Sequence, residues 1–326
     1  MKLERRFREF LPESRRVVVK IGTRVIAQPS GRPDTRRLRA LVSQVAGLRR
    51  KGYEMLVVTS GAVGAGMEAL GIRSRPTAVP DLQMCAAVGQ ARLMARYEAF
   101  FAAEKLKVGQ VLLTHGDFLH RVRFANARRT MEHLLRAGVV PIINENDVVA
   151  DEELKADLSL GDNDYLAALV AQHFHADLLV ILSTVAGLLE PTSQGSMRRV
   201  SHVDYVGADI FRLVNPGKSA LSKGGMDSKL RAAQMVSRAG CAVVVANGRQ
   251  NDVLSSVLSG LDIGTCIAPY RFLPRVASSS ASGTRRGHRV FRPMTVRNYI
   301  DATEWRGRKT RRLVRVLDGA AKESAP

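Results

Sequence analysis

Val139-Val140-Pro141-Ile142-Ile143-Asn144-Glu145-Asn146-Asp147 and, one loop later, Gly161-Asp162-Asn163-Asp164-Tyr165-Leu166-Ala167-Ala168-Leu169-Val170-Ala171 decide how this chain is read. The first stretch is an apolar run of core-strand length that ends in carboxylates and amides. The second opens with the same residue types and passes into an apolar-periodic helix. A core strand ending in polar groups, followed by a helix that begins with them, describes the carboxyl rim of an open α/β sheet, where such folds bind ligands. Carboxylates and amides gathered there suit a polar, charged small molecule. Turn formation by Asn and Asp, and capping of the next helix, call on the same residues.

Outward from these clusters, short apolar runs alternate with longer amphipathic ones. Val17-Val18-Val19-Lys20-Ile21 reads as a buried first strand. Asp34 is placed to cap a helix to about Arg50, with Leu38, Leu41, Val42, Val45 and Leu48 at helical spacing and Gly52 as its stop. Met55-Leu56-Val57-Val58 is a second strand that runs into Thr59-Ser60-Gly61-Ala62-Val63-Gly64-Ala65-Gly66. Helices are expected over 82–104, 123–137, the stretch ending near 174, and 227–239; strands over 109–113, 139–143, 178–182 and 242–245, with a short segment at 264–267. This alternation predicts an α/β fold with a mostly parallel sheet covered on both faces.

With 326 residues, 45% of them hydrophobic, the chain can bury a large core. No apolar run approaches the ~18 residues of a membrane span, and the charged start Met1-Lys2-Leu3-Glu4-Arg5-Arg6 lacks a signal-peptide core. Cys85, Cys241 and Cys266 are scattered and odd in number, which argues against a disulfide framework or a CxxC metal site. A soluble cytoplasmic protein is expected. The net charge of +20 invites a nucleic-acid reading, but the excess sits at the ends. Residues 271–326 hold 14 Lys/Arg against four Asp/Glu, and residues 1–16 hold six against three. The body between is mildly basic, as suits a protein that handles anions. The polar run Ser278-Ser279-Ser280-Ala281-Ser282-Gly283 and the Arg-rich sequence after it predict a flexible tail. The expected plan is a basic extension at 1–15, a globular body at 16–269 and a basic tail at 270–326.

Three further stretches carry candidate chemistry. Lys20 ends a strand beside Gly22 and Thr23, which suits phosphate binding by an ammonium and exposed N–H groups; a snorkelling strand-end lysine fits too. The small residues of 59–66 let backbone approach a ligand, with a helix N-terminus behind them. They match neither a Walker A loop nor GxGxxG, and a tightly packed turn is the other reading. Lys223-Gly224-Gly225-Met226-Asp227-Ser228-Lys229 reads as an anion-binding helix start, or as a plain Gly-rich loop with Asp227 as N-cap. His173 and His175 have no Cys or acidic partner at ligand spacing, so no metal site is expected, and no nucleophilic triad is evident.

Taken in order, Lys20-Ile21-Gly22-Thr23, Thr59-Ser60-Gly61-Ala62, Asn144-Glu145-Asn146-Asp147, Gly161-Asp162-Asn163-Asp164 and Gly224-Gly225-Met226 with Lys229 resemble the amino-acid kinase family, over about 16–268. Ala86-Ala87-Val88-Gly89-Gln90 and Arg123-Phe124-Ala125-Asn126-Ala127-Arg128 are also similar to it. The paired polar clusters resemble most those members that phosphorylate the γ-carboxylate of L-glutamate on the route to proline. The resemblance implies an open αβα sandwich with ATP and L-glutamate along the carboxyl edge of its sheet. It implies that Lys20 and Lys229 carry the transferring phosphoryl group and that Asp164 orients them. Ser60, Gly61, Asn144, Asp147, Asp162 and Asn163 would hold glutamate. Gly22, Ser183, Thr184 and residues 223–229 would join Lys20 at the nucleotide, with Mg²⁺ riding on its phosphates and no dedicated protein ligand. A homo-oligomer is expected, with neither a membrane nor a nucleic acid as partner.

The chain departs from the family pattern in places. Ser183-Thr184 stands where Thr-Asp usually precedes a Gly-Leu pair, here Gly187-Leu188, which bears on nucleotide affinity. Lys223 replaces a usual Thr, Arg24 a small polar residue, and Asp147 and Asp164 lie further apart than usual. Nothing after 270 reads as the RNA-modification-type (PUA) β-barrel that many bacterial members carry. The alternatives are a sibling kinase acting on another carboxylate or phosphate, and a kinase-like protein that binds RNA through its Arg-rich ends.

Overall fold

A computed structural model describes residues 7–28, 32–150, 162–214 and 225–270. Its strands are β1 (Arg16–Ile21), β2 (Glu54–Val58), β3 (Val108–Leu113), β4 (Val140–Glu145), β5 (Leu178–Ser183), β6 (Leu189–Pro191), β7 (Met197–Arg199), β8 (His202–Val203), β9 (Ala242–Asn247) and β10 (Thr265–Ile267). Its helices are α1 (Thr35–Arg50), α2 (Ala62–Ala69), α3 (Val79–Ala103), α4 (His115–Leu119), α5 (Arg121–Arg136), α6 (Asp162–His173), α7 (Ala208–Val214), α8 (Met226–Arg238) and α9 (Val253–Leu258). One sheet runs in the order β3-β4-β2-β1-β5-β9-β10-β8, parallel from β3 to β9.

The valine run of β1 is fully buried and lies at the centre, between β2 and β5. Strand alternation sends Val17, Val19 and Ile21 into the core formed with α1, α3 and α9. Val18 and Lys20 therefore face the other layer, where α6 packs on β1, β4 and β5 and against α8. The sheet is thus covered on both faces, an αβα sandwich with every parallel strand ending on one rim. Asp34 caps α1 by accepting from Arg37 N at 2.9 Å, and Gly52, at φ +94°, turns the chain out of it.

Helices α2 and α3 cross where both have glycine. A Cβ on Gly66 would lie 1.8 Å from Cys85 O, and one on Gly89 would lie 1.8 Å from Ala62 O. Backbone meets backbone there, which fixes the small-residue run of α2 against α3.

Several elements had no legible sequence signal. The β6–β7 hairpin is short and has no buried strand residue, so no alternation marks it. β10, seen only as a short segment, runs antiparallel to β9 and carries β8 on its far side. Residues 7–13, which the charge pattern places in the basic extension, dock on the fold through buried Phe7 and Leu11. The Arg8 guanidinium donates to Leu261 O, Ile263 O, Ser201 O and Gly264 O at 2.6–3.1 Å, so one side chain binds carbonyls that lead into β10 and β8.

His173, at the end of α6, packs against Phe118 and Phe124, with ring centroids 5.6 and 4.7 Å away. Its Nε2 is buried without a hydrogen-bond partner. Burial, with the nearby charges of His175 and Arg128, pushes its pKa down to about 4. The folded state thus resists a proton that the unfolded chain accepts near pH 6.5. Stability is complete above that pH and is lost as pH falls toward about 4. We expect a loss of about 2 kcal/mol, discounted for partial exposure, in urea melts at pH 7 and pH 4. His173→Phe should remove that part of the pH dependence; an unchanged difference would refute it.

Candidate active site

The carboxyl rim gathers the polar residues that β1, β2, β4 and β5 carry at their ends. Lys20 lies opposite Val58 of β2 and Ile181 of β5 and is 7% exposed. It does not snorkel: its Nζ lies 2.7 Å from Asp164 Oδ1. Asp164 stands on the first turn of α6, 3% exposed, and its Oδ2 receives Lys229 Nζ at 2.9 Å and Ser228 Oγ at 2.8 Å. Burial alone would push the Asp164 carboxyl up, but Lys20 and Lys229 outweigh it and hold its pKa below the ordinary carboxylate value. One carboxylate between two ammonium groups leaves this triad with a net positive charge.

Lys229 sits on the first turn of α8, where the helix dipole disfavours a cation, so Asp164 is what holds it there. The N-cap of α8 is Gly225, at φ +81° and ψ −142°, a region closed to side-chain-bearing residues. Its carbonyl lies 3.2 Å from Lys229 Nζ. Asp227 does not cap the helix: it is 1% exposed and accepts from Arg231 Nε at 2.7 Å. That carboxylate, expected among the nucleotide contacts, is engaged within its own helix.

Beside the charged triad runs a chain of amides. Asn163 Nδ2 lies 2.7 Å from Ser60 Oγ, 2.9 Å from Thr59 O and 3.2 Å from Asn144 Oδ1. Asn144 Nδ2 in turn donates to Gln90 Oε1 at 2.8 Å. Gly61 follows Ser60 as the N-cap of α2. Asp147 lies in the turn after β4 and lines, with Gln90, Glu145 and Asn146, a cleft of about 330 Å³.

Ser183 ends β5 opposite Asn247 of β9, and Thr184 is exposed just beyond it. A Cβ on Gly22 would sit 3.5 Å from Lys20 Nζ, so bare backbone adjoins that ammonium. The described site residues, which sequence spread over six stretches, thus converge on one rim. Met226 opens α8 and the backbone of Asp162 opens α6. Gly161, Lys223, Gly224, residues 151–160 and the tail from 271 lie outside the described residues. Sequence reasoning gave no role to Gln90 or Thr59. Gln90 lies in the Ala86–Gln90 stretch already noted and Thr59 in the Thr59–Ala62 motif, but neither the Gln90–Asn144 bond nor the 2.7 Å contact of Thr59 Oγ1 with Tyr97 OH was legible there.

Among the described residues, no helix is long and apolar enough to cross a membrane. Comparison with known proteins bears on the family and the fold. The model of the amino acid kinase family matches residues 15–247. Glutamate 5-kinase of Methylococcus capsulatus is 42% identical over 264 residues, covering 80% of this chain and 70% of that protein. The glutamate 5-kinase of Myxococcus xanthus is 44% identical, covering 80% and 69%. Among solved structures, carbamate kinase from Giardia lamblia bound to AMP-PNP aligns at TM-score 0.55 and 17% identity, over 79% of this chain and 99% of that one. UMP kinase from Bacillus anthracis aligns at 0.51 and 15%, over 78% and 96%. At such identities the two structures speak for the fold alone.

Proposed function

Because this chain belongs to the amino acid kinase family, we propose that it transfers the γ-phosphoryl group of ATP to the γ-carboxylate of L-glutamate. The product is L-glutamyl 5-phosphate, and the step is the first of proline biosynthesis. The observation that carries this reading is Asp164 buried between Lys20 and Lys229 on the rim, next to the Ser60–Asn163–Asn144 amide chain.

Transfer between two anions calls for in-line positioning and neutralised charge more than for covalent chemistry. The acceptor carboxylate is already ionised at neutral pH, so no general base is needed. Lys20 and Lys229 supply fixed positive charge where phosphoryl oxygens gather, and Asp164 keeps both ammonium groups aimed. Ser60, Gly61, Asn144, Asp147, Asp162 and Asn163 hold glutamate. Gly22, Ser183, Thr184, residues 223–226, Ser228 and Lys229 hold the nucleotide beside Lys20, while the Asp227 carboxylate stays with Arg231. Mg²⁺ would ride on the ATP phosphates, since both Asp164 oxygens are engaged by ammonium groups. Carried on ATP, it supplies further charge neutralisation.

The family match supports a catalytic unit at 16–269 between the basic stretches 1–15 and 270–326. A cytoplasmic location fits a reaction that consumes ATP and L-glutamate.

A coupled assay of ADP release against a panel of acidic substrates tests the reading. Release should require Mg-ATP and L-glutamate; turnover with aspartate, N-acetylglutamate or UMP in place of glutamate would assign the chain to a sibling kinase. Asp147→Ala should raise KM for glutamate by about 10-fold or more, the worth of a hydrogen bond to a charged group, with kcat nearly unchanged. A fall confined to kcat would remove Asp147 from the glutamate site.

A further inference from the structure

Gln90 of α3 has one polar atom satisfied and one left over. Its Oε1 accepts from Asn144 Nδ2 at 2.8 Å, while its Nε2 is buried with no hydrogen-bond partner. At the other end of the amide chain, Asn163 Nδ2 serves three oxygens with two hydrogens, while Asn163 Oδ1 is buried without a partner. Native structures keep few such orphaned groups, and each calls for a reason. The acceptor face that Gln90 turns to Asn144 sets the direction of the chain: Asn144 must donate to it, so Asn144 Oδ1 faces Asn163. Gln90 Nε2 is the donor this arrangement leaves unused, on a residue that lines the same cleft as Glu145, Asn146 and Asp147.

We propose that Gln90 positions the acceptor amino acid, its Nε2 being held for the substrate's α-carboxylate. The inference rests on the function proposed above. The γ-carboxylate must meet the phosphoryl group at Lys20 and Lys229. The amide chain leads away from them, from Asn163 beside Asp164 to Gln90, so the α-carbon end of the substrate comes to Gln90. Glu145 and Asp147 would repel a carboxylate in the same cleft and suit the α-ammonium, whereas an amide N–H suits the carboxylate. A zwitterionic head group matches both.

The test is the preference of the full-length chain for L-glutamate over its α-amide, in which the α-carboxylate is a carboxamide. Gln90→Glu keeps an acceptor toward Asn144 and replaces the donor with a carboxylate oxygen. It should raise KM for L-glutamate about 10- to 100-fold, as expected for a lost hydrogen bond to a charged group, with kcat and melting temperature little changed. The α-amide should lose less, so the preference should shrink by about 10-fold or more. Gln90→Met, which has neither polar group, reads the same ratio if Gln90→Glu does not fold. Equal losses on both substrates, or an unchanged ratio in both variants, would mean a purely structural glutamine and overturn the proposal. If the unmodified chain releases no ADP with L-glutamate, the proposed function falls first; if it does and the ratio holds, only the assignment of Gln90 falls.

Discussion

Lys229→Met, at saturating ATP and glutamate, should lower kcat by about 10³-fold or more, the scale on which a single cationic group acts in phosphoryl transfer. Lys20→Met should do the same. The reason lies in the triad: with one lysine removed, Asp164 keeps the other ammonium group, so the buried carboxylate stays paired and the fold stands. A melting temperature near that of the unmodified chain, beside a collapsed kcat, would separate lost chemistry from lost structure. Asp164→Ala differs, because it leaves two ammonium groups facing each other with no acceptor between them. It should depress kcat and also cost about 3–5 kcal/mol, the usual penalty for breaking a buried pair. A kcat within 10-fold of the original in Lys229→Met would refute the assigned role.

Gly89→Ala should be among the most damaging single methyl groups that can be added to the described fold. The new Cβ would lie 1.8 Å from Ala62 O and 2.3 Å from Gly66 N, and both are backbone atoms that no rotamer change can move. Helices α2 and α3 must separate, at about 3 kcal/mol or more, which lowers the melting temperature by roughly 6–12 °C. Both helices serve the site, because Ser60 and Gly61 lead into α2 and Gln90 follows Gly89 on α3. KM for glutamate should therefore rise together with the loss of stability. Gly47→Ala is the control: a Cβ there meets nothing within 4 Å, and alanine is the better helix former. Thermal melts of the two variants should move in opposite directions; a neutral Gly89→Ala would refute the close crossing.

Much of the architecture was legible because it rests on local pattern. The Val17–Val19 run, too short and β-branched for a core helix, became the central strand, and the apolar spacing after Asp34 became α1. The rim clusters were legible for a similar reason: polar residues ending a core strand have nowhere to go except the sheet edge. Other features escaped because their cause is distant in sequence. β10 reverses direction through its pairing with β9, and Arg8 finds its carbonyls 193 to 256 residues away. Asp227 looked like a helix cap until its partner proved to be Arg231, one turn further along.

The chain's sequence by itself determined the α/β class, the order of the main strands and the identity of the charged and amide side chains. These follow from hydrophobic periodicity and residue chemistry, which neighbouring positions encode. Only the tertiary structure decided the pairings. Lys20 and Lys229 share one carboxylate, Asn163 ties Ser60 to Asn144, and Gln90 holds the end of that chain because the parallel sheet and the α2–α3 crossing bring remote residues within hydrogen-bond distance. A pairing at 2.7 Å is a property of packing, and packing depends on every element at once.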